Sequence, residues 1–208
     1  MKTREGKPAR AALIWAGFAL AVGVPLAAAA MSPLLQWRGL VYVLAGFAGI
    51  VGLGLMLLQP LLIGGYLPGL SARLGRRAHH WIGGTLVVAI LVHVGGLWFT
   101  SPPDMIDALL FESPTPFSPF GVVAMWAIFA VALLAIFRRR LRPRTWRTAH
   151  MLLAIVIVVG SVIHGLLIEG AMETISKAVL CALVVAATVK VMTELWMRKK
   201  RRTSAADP

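Results

Sequence analysis

The chain alternates between long apolar runs and short polar ones. Apolar stretches near 11–31, 39–64, 79–99, 118–137, 148–168 and 174–196 each approach the roughly 20 residues that an α-helix needs to cross about 30 Å of hydrocarbon. The pattern predicts an all-α integral membrane protein built as a six-transmembrane-helix bundle. A short tail at 1–10, one membrane domain over 11–197 and a basic tail at 198–208 follow from the same boundaries. The joining segments alternate in charge. "KTREGKPAR", "SARLGRR", "RRRLRPRTWR" and "RKKRR" are basic, whereas "SPPDMIDALLFESPTPFSP" and "IEGAMET" are acidic. The positive-inside rule then puts both termini and the basic segments in the cytoplasm and the acidic ones outside, with a bacterial inner membrane as the expected location. The first run also has the basic start, apolar middle and small-residue end of a signal peptide. Its removal would leave the other spans oriented as before.

Composition supports the membrane class. Of 208 residues, 59% are hydrophobic and 14% charged, and the mean hydropathy is +0.81, too apolar for a water-soluble domain. The net charge of +13 would suit nucleic acid if the Lys and Arg lined one face of a soluble fold. They stand instead at the ends of apolar runs, so the expected partner is a lipid membrane and no nucleic acid. The single cysteine, Cys181, sits inside an apolar run and excludes both an internal disulfide and a four-cysteine metal site. It reads as packing.

The chemistry lies in the histidines. All five occur in the third and fifth runs: His79, His80 and His93 in one, His150 and His164 in the other. An ionisable group at membrane depth marks a functional site by default. His79 and His93 are 14 residues apart, as are His150 and His164. On an α-helix that spacing is about 40° short of four full turns and climbs ~21 Å, so each pair lies near one face at two depths. Both spans run in the same direction, which matches His79 with His150 near the cytoplasmic surface and His93 with His164 toward the outer leaflet. His80 falls ~140° away from His93 around the helix, so His79 rather than His80 is expected to face the partner span. Two imidazoles on opposing helices can hold a planar haem edgewise as axial ligands to its iron. Zinc fits less well, since it needs three or four ligands converging on one point. Glycines cluster nearby, at Gly83, Gly84, Gly95, Gly96, Gly160 and Gly165 and at Gly46, Gly49, Gly52 and Gly54. They allow either close helix packing or the approach of a broad ligand.

These segments, "RRAHHWIGGTLVVAILVH" and "WRTAHMLLAIVIVVGSVIH", resemble the ferric reductase-like transmembrane domain, the haem-bearing six-helix unit shared with NADPH oxidases and bacterial haem-binding oxidoreductase subunits. The resemblance implies two haem b groups between the third and fifth spans, with His79, His93, His150 and His164 as iron ligands. It also implies single-electron transfer outward. Larger members continue into flavin and nicotinamide domains, whereas this chain stops at "RRTSAADP". The expected protein is therefore the membrane component of an oxidoreductase, taking electrons from a cytoplasmic flavin reductase or a membrane quinol, with flavin or quinone supplied by that partner, and passing them to an outer-side acceptor. Arg73, Arg76, Arg77, Arg144 and Arg147 are candidates for the inner haem's propionates, or for anionic lipid. Asp104, Asp107 and Glu112 are candidates for docking a cationic partner or Fe³⁺, or form an ordinary solvated segment. Two other readings stay open: a histidine-lined proton or metal transporter, and a quinone-linked haem anchor subunit.

Overall fold

A computed structural model describes residues 6–204. Seven α-helices occupy them: α1 (Gly6–Ala30), α2 (Leu40–Gly64), α3 (Ala72–Thr100), α4 (Pro102–Leu109), α5 (Ser118–Ile136), α6 (Pro143–Leu167) and α7 (Thr174–Ser204). All but α4 contain a segment long and apolar enough to cross a membrane. The protein is an all-helical integral membrane protein with six candidate spans. Helical geometry continues into both basic tails, to Gly6 and to Ser204, while the outermost residues of those tails lie outside the described ones.

Two helices begin before the apolar runs that announce them. α3 starts at Ala72 and α6 at Pro143, because arginines in a first turn can keep their heads in water while their stems follow the helix. Ser71 caps α3 by accepting from the backbone N–H of Leu74, and Pro143 opens α6 at the position where a missing N–H costs nothing. The acidic segment between the third and fourth spans is not a plain loop. It contains α4, opened by Pro102 and Pro103, with Asp104 accepting from the Ser101 hydroxyl, and just past α4 the backbone turns through Phe111 in the left-handed region (φ 61°).

Packing divides the bundle into two hairpins. α3 lies along α2 and α6 along α5, and α7 closes the bundle against α2 and α6. The close approaches use small residues. A Cβ on Gly160 of α6 would stand 2.9 Å from the carbonyl oxygen of Phe120 on α5. The shared core combines Leu53, Met56 and Leu57 of α2, Leu86 of α3, Ala127 and Ile128 of α5, Ile157 of α6 and Leu180, Cys181 and Val184 of α7. Cys181 is buried there, as a packing residue. The hydroxyls of Thr85, Thr188 and Thr193 each donate to a carbonyl of their own helix, which satisfies them where no water is at hand. Lys177, only 5% exposed, donates to the carbonyl of Ile168 just past the end of α6, where a cation suits the negative end of the helix dipole.

Glu173 closes the first turn of α7. Its carboxylate accepts from the backbone N–H groups of Ser176 (2.6 Å) and Ile175 (2.7 Å), and these bonds hold its carboxyl below the usual carboxylate range. A depressed folded pKa contributes stability that is present above the unfolded pKa and lost as pH falls through the folded one. Acidification through that window is expected to loosen this turn. Amide exchange at Ile175 and Ser176, corrected for its intrinsic pH dependence, should accelerate on acidification in the wild type and lose that pH dependence in Glu173→Gln.

Candidate functional site: two histidine pairs between α3 and α6

α3 and α6 are not packed against each other, because each is drawn onto its own hairpin partner. Histidine rings meet across the slot between them. The ring centroids of His79 and His150 are 6.1 Å apart, with planes at 68°. Those of His93 and His164 are 6.4 Å apart, with planes at 81°. The helical phase selects His79 as expected: His80 is exposed and lies edge-on to Trp81, 6.1 Å between centroids. Among the described residues no group of three or more His, Cys, Asp or Glu converges. Each level therefore offers two imidazoles to one central atom, and nothing more from the ionisable side chains.

The pair nearer the acidic end, His93 and His164, called the outer pair for the orientation expected from the charges, is fixed by hydrogen bonds. His93 Nδ1–H donates to the carbonyl of Ala45 on α2 at 2.8 Å, and His164 Nδ1–H donates to the carbonyl of Phe117, at the start of α5, at 3.0 Å. A carbonyl can only accept, so the proton is on Nδ1 and Nε2 keeps its lone pair. In both cases a glycine four residues beyond the carbonyl makes room for the ring. A Cβ at Gly49 would come within 3.0 Å of His93 Nδ1, and one at Gly121 within 2.6 Å of His164 Nδ1. The two hairpins thus repeat one device, with 48 residues from carbonyl to histidine in the first and 47 in the second.

The inner pair is held differently. Ala45 and Gln59 are 14 residues apart on α2, as His93 and His79 are on α3, so the antiparallel register brings the backbone of Gln59 beside His79. Ile63 stands where the outer level has its glycine. Among the described residues neither His79 Nδ1 nor His150 Nδ1 closes a hydrogen bond, and the side-chain Gln59 Oε1 and Trp146 Nε1 are likewise buried without partners. Trp146 stacks on His150, with centroids 5.3 Å apart and planes at 16°, and the Arg138 guanidinium lies 5.1 Å from the indole centroid. Gly121, Gln59, Trp146 and Arg138 escape a reading of the sequence based on histidine spacing. Gln59 alone had a usable signal, as an uncharged polar side chain inside an apolar run.

The remaining candidates sit at the two ends. Arg73, Arg76, Arg77, Arg144 and Arg147 are all exposed at the basic end, where Arg147 Nε donates to the Pro143 carbonyl. Arg142, Pro143, Arg144, Thr145 and Arg147 line an open groove there. Asp104 and Asp107 lie on α4 and Glu112 just beyond it, at the acidic end.

Six helices long and apolar enough to span, with histidines paired at two levels between α3 and α6, define a polytopic membrane domain. The chain belongs to the ferric reductase like transmembrane component family, which matches residues 45–161. That match includes His79, His93 and His150 and ends before His164. Membership points to membrane electron transfer. No curated protein and no solved structure matched the chain.

The glycine device makes a graded prediction. Ala at Gly121 must displace the His164 ring, while Ala at Gly49 needs a shift of a few tenths of an ångström. Thermal unfolding in detergent should show Gly121→Ala destabilised by about 1–3 kcal/mol, as for an overpacked core, and Gly49→Ala by less.

Proposed function

We propose that the chain is a two-haem electron conduit, the membrane component of an oxidoreductase, with His79 and His150 as axial ligands of an inner haem b and His93 and His164 of an outer one. The observation that carries this reading is the width of the gap between paired rings. A metal bonded to two imidazole nitrogens at about 2 Å each sets the ring centroids about 6 Å apart, and the separations are 6.1 and 6.4 Å. The hydrogen bonds of the outer pair add to it. Metal-binding histidines commonly donate their second N–H to a carbonyl, which fixes the ring and leaves Nε2 as the ligand atom, as His93 and His164 do.

A haem iron held by two imidazoles exchanges single electrons. The chain's own contribution is to hold four rings at two depths in a slot walled by apolar side chains. With the basic end in the cytoplasm by the positive-inside rule, the donor is a reduced cytoplasmic flavoprotein or a membrane quinol, and the acceptor lies beyond the acidic end. The membrane is a bacterial inner membrane in this reading. A proton relay is less well supported, since carbonyls hold the Nδ1 protons of the outer pair and no carboxylate stands between the levels.

Purified protein should show the intense Soret band and sharp reduced α band of bis-imidazole haem, at two haems per chain. His93→Ala or His164→Ala should lower this toward one and spare the inner haem. A folded but colourless protein would refute the reading, and unchanged stoichiometry in both variants would refute the pairing by depth.

The ring planes supply a second prediction. Near-perpendicular imidazole planes leave the two iron dπ orbitals almost degenerate, so angles of 68° and 81° call for strongly anisotropic low-spin ferric EPR signals. Rhombic signals from both centres would contradict this geometry.

A further inference from the structure

The two levels differ in what fixes their rings. At the outer level both Nδ1–H groups are tied to backbone carbonyls of the neighbouring hairpin helix. At the inner level the Gln59 backbone comes beside His79 without closing a hydrogen bond, and His150 Nδ1 has no partner among the described residues; the torsion that turns an imidazole about its Cβ–Cγ bond is broad when nothing else sets it. His150 nonetheless has a defined neighbour. The indole of Trp146, one helical turn toward the basic end, lies parallel to its ring, and Arg138 covers that indole from the short 3₁₀ turn Phe137–Arg140.

We propose that Trp146, backed by Arg138, is the positioning residue of His150: the stacked indole sets the plane of the inner imidazole, the task that a carbonyl performs at the outer level. This rests on the reading of the histidines as haem ligands. Three observations converge on it. The interplanar angle of 16° is that of a face-to-face contact, so rotation of the imidazole about Cβ–Cγ must break the stack. Among the described residues the buried Trp146 Nε1–H has no acceptor, so the protein's own contacts hold the indole through its ring. Arg138 belongs to a different element from His150, and its guanidinium fixes the indole by a cation–π contact.

The consequence is a separable control of the two centres. Changing Trp146 alters the inner imidazole alone, since His93 and His164 depend on Ala45 and Phe117.

The test uses the full-length protein in a His164→Ala background, in which only the inner haem remains, and compares Trp146→Leu, Trp146→Phe and Arg138→Gln by oxidised-state EPR and haem retention. Trp146→Leu should replace the strongly anisotropic signal by a rhombic or heterogeneous one and weaken haem retention about tenfold, the low end for loss of a ligand's supporting contact. Trp146→Phe keeps a stacking face and should retain the parent signal. Arg138→Gln, at an exposed position, should give a partial change in the same direction. The proposal is overturned if Trp146→Leu keeps the parent signal, or if Trp146→Phe behaves like Trp146→Leu, which would assign the role to the Nε1–H. Should Trp146→Leu fail to accumulate, an unchanged Arg138→Gln signal overturns it alone. A His164→Ala parent without any haem, beside a haem-free wild type, would instead refute the haem reading itself.

Discussion

The hydrogen bond from a histidine Nδ1–H to the backbone carbonyl of the neighbouring helix sets the outer half of the slot. It places strict demands on the packing around it. The carbonyl already accepts from its own helix: that of Phe117 receives the N–H of Gly121 at 3.3 Å as well as His164 at 3.0 Å. A side chain four residues further on would crowd the second donor, severely at Gly121 and by a few tenths of an ångström at Gly49. The hairpin helices must also lie close enough for the ring to reach, which the small residues between α2 and α3 and between α5 and α6 allow. With each histidine helix held to its own hairpin partner, α3 and α6 are left apart and the slot exists.

Inner and outer levels then differ for a local reason. The register of α2 against α3 repeats after 14 residues and offers His79 the backbone of Gln59, but the residue four beyond it is the β-branched Ile63, where the outer level has Gly49. On α6, Trp146 lies one turn from His150 and substitutes a ring face for a carbonyl. The basic end carries the looser, aromatic arrangement, and the acidic end the one locked to the backbone.

Much of this was legible in the residues. The six apolar runs gave the spans, and the 14-residue spacing with helical phase gave both histidine pairs and the preference for His79 over His80. The early starts of α3 and α6 were hidden because arginines lower the local hydropathy without breaking the helix. α4 was hidden because Pro102, Pro103 and Asp104 read as loop residues, although the same types open helices. Gly121 lay in no cluster, and its role depends on a ring 43 residues away in the chain. Trp146 looked like an interfacial tryptophan among arginines. Only the fold shows which faces its ring covers.

An apolar belt separates the two histidine levels. Leu53, Leu57, Leu86 and Ile157 belong to one packed cluster, and no Asp, Glu, Lys or Arg side chain lies in the stretches of α3 and α6 between their histidines. Proton hopping needs a file of ionisable groups or water, and neither helix supplies the groups. Between the two levels, beyond His80 beside the inner pair, neither helix therefore offers a titratable side chain to a migrating proton.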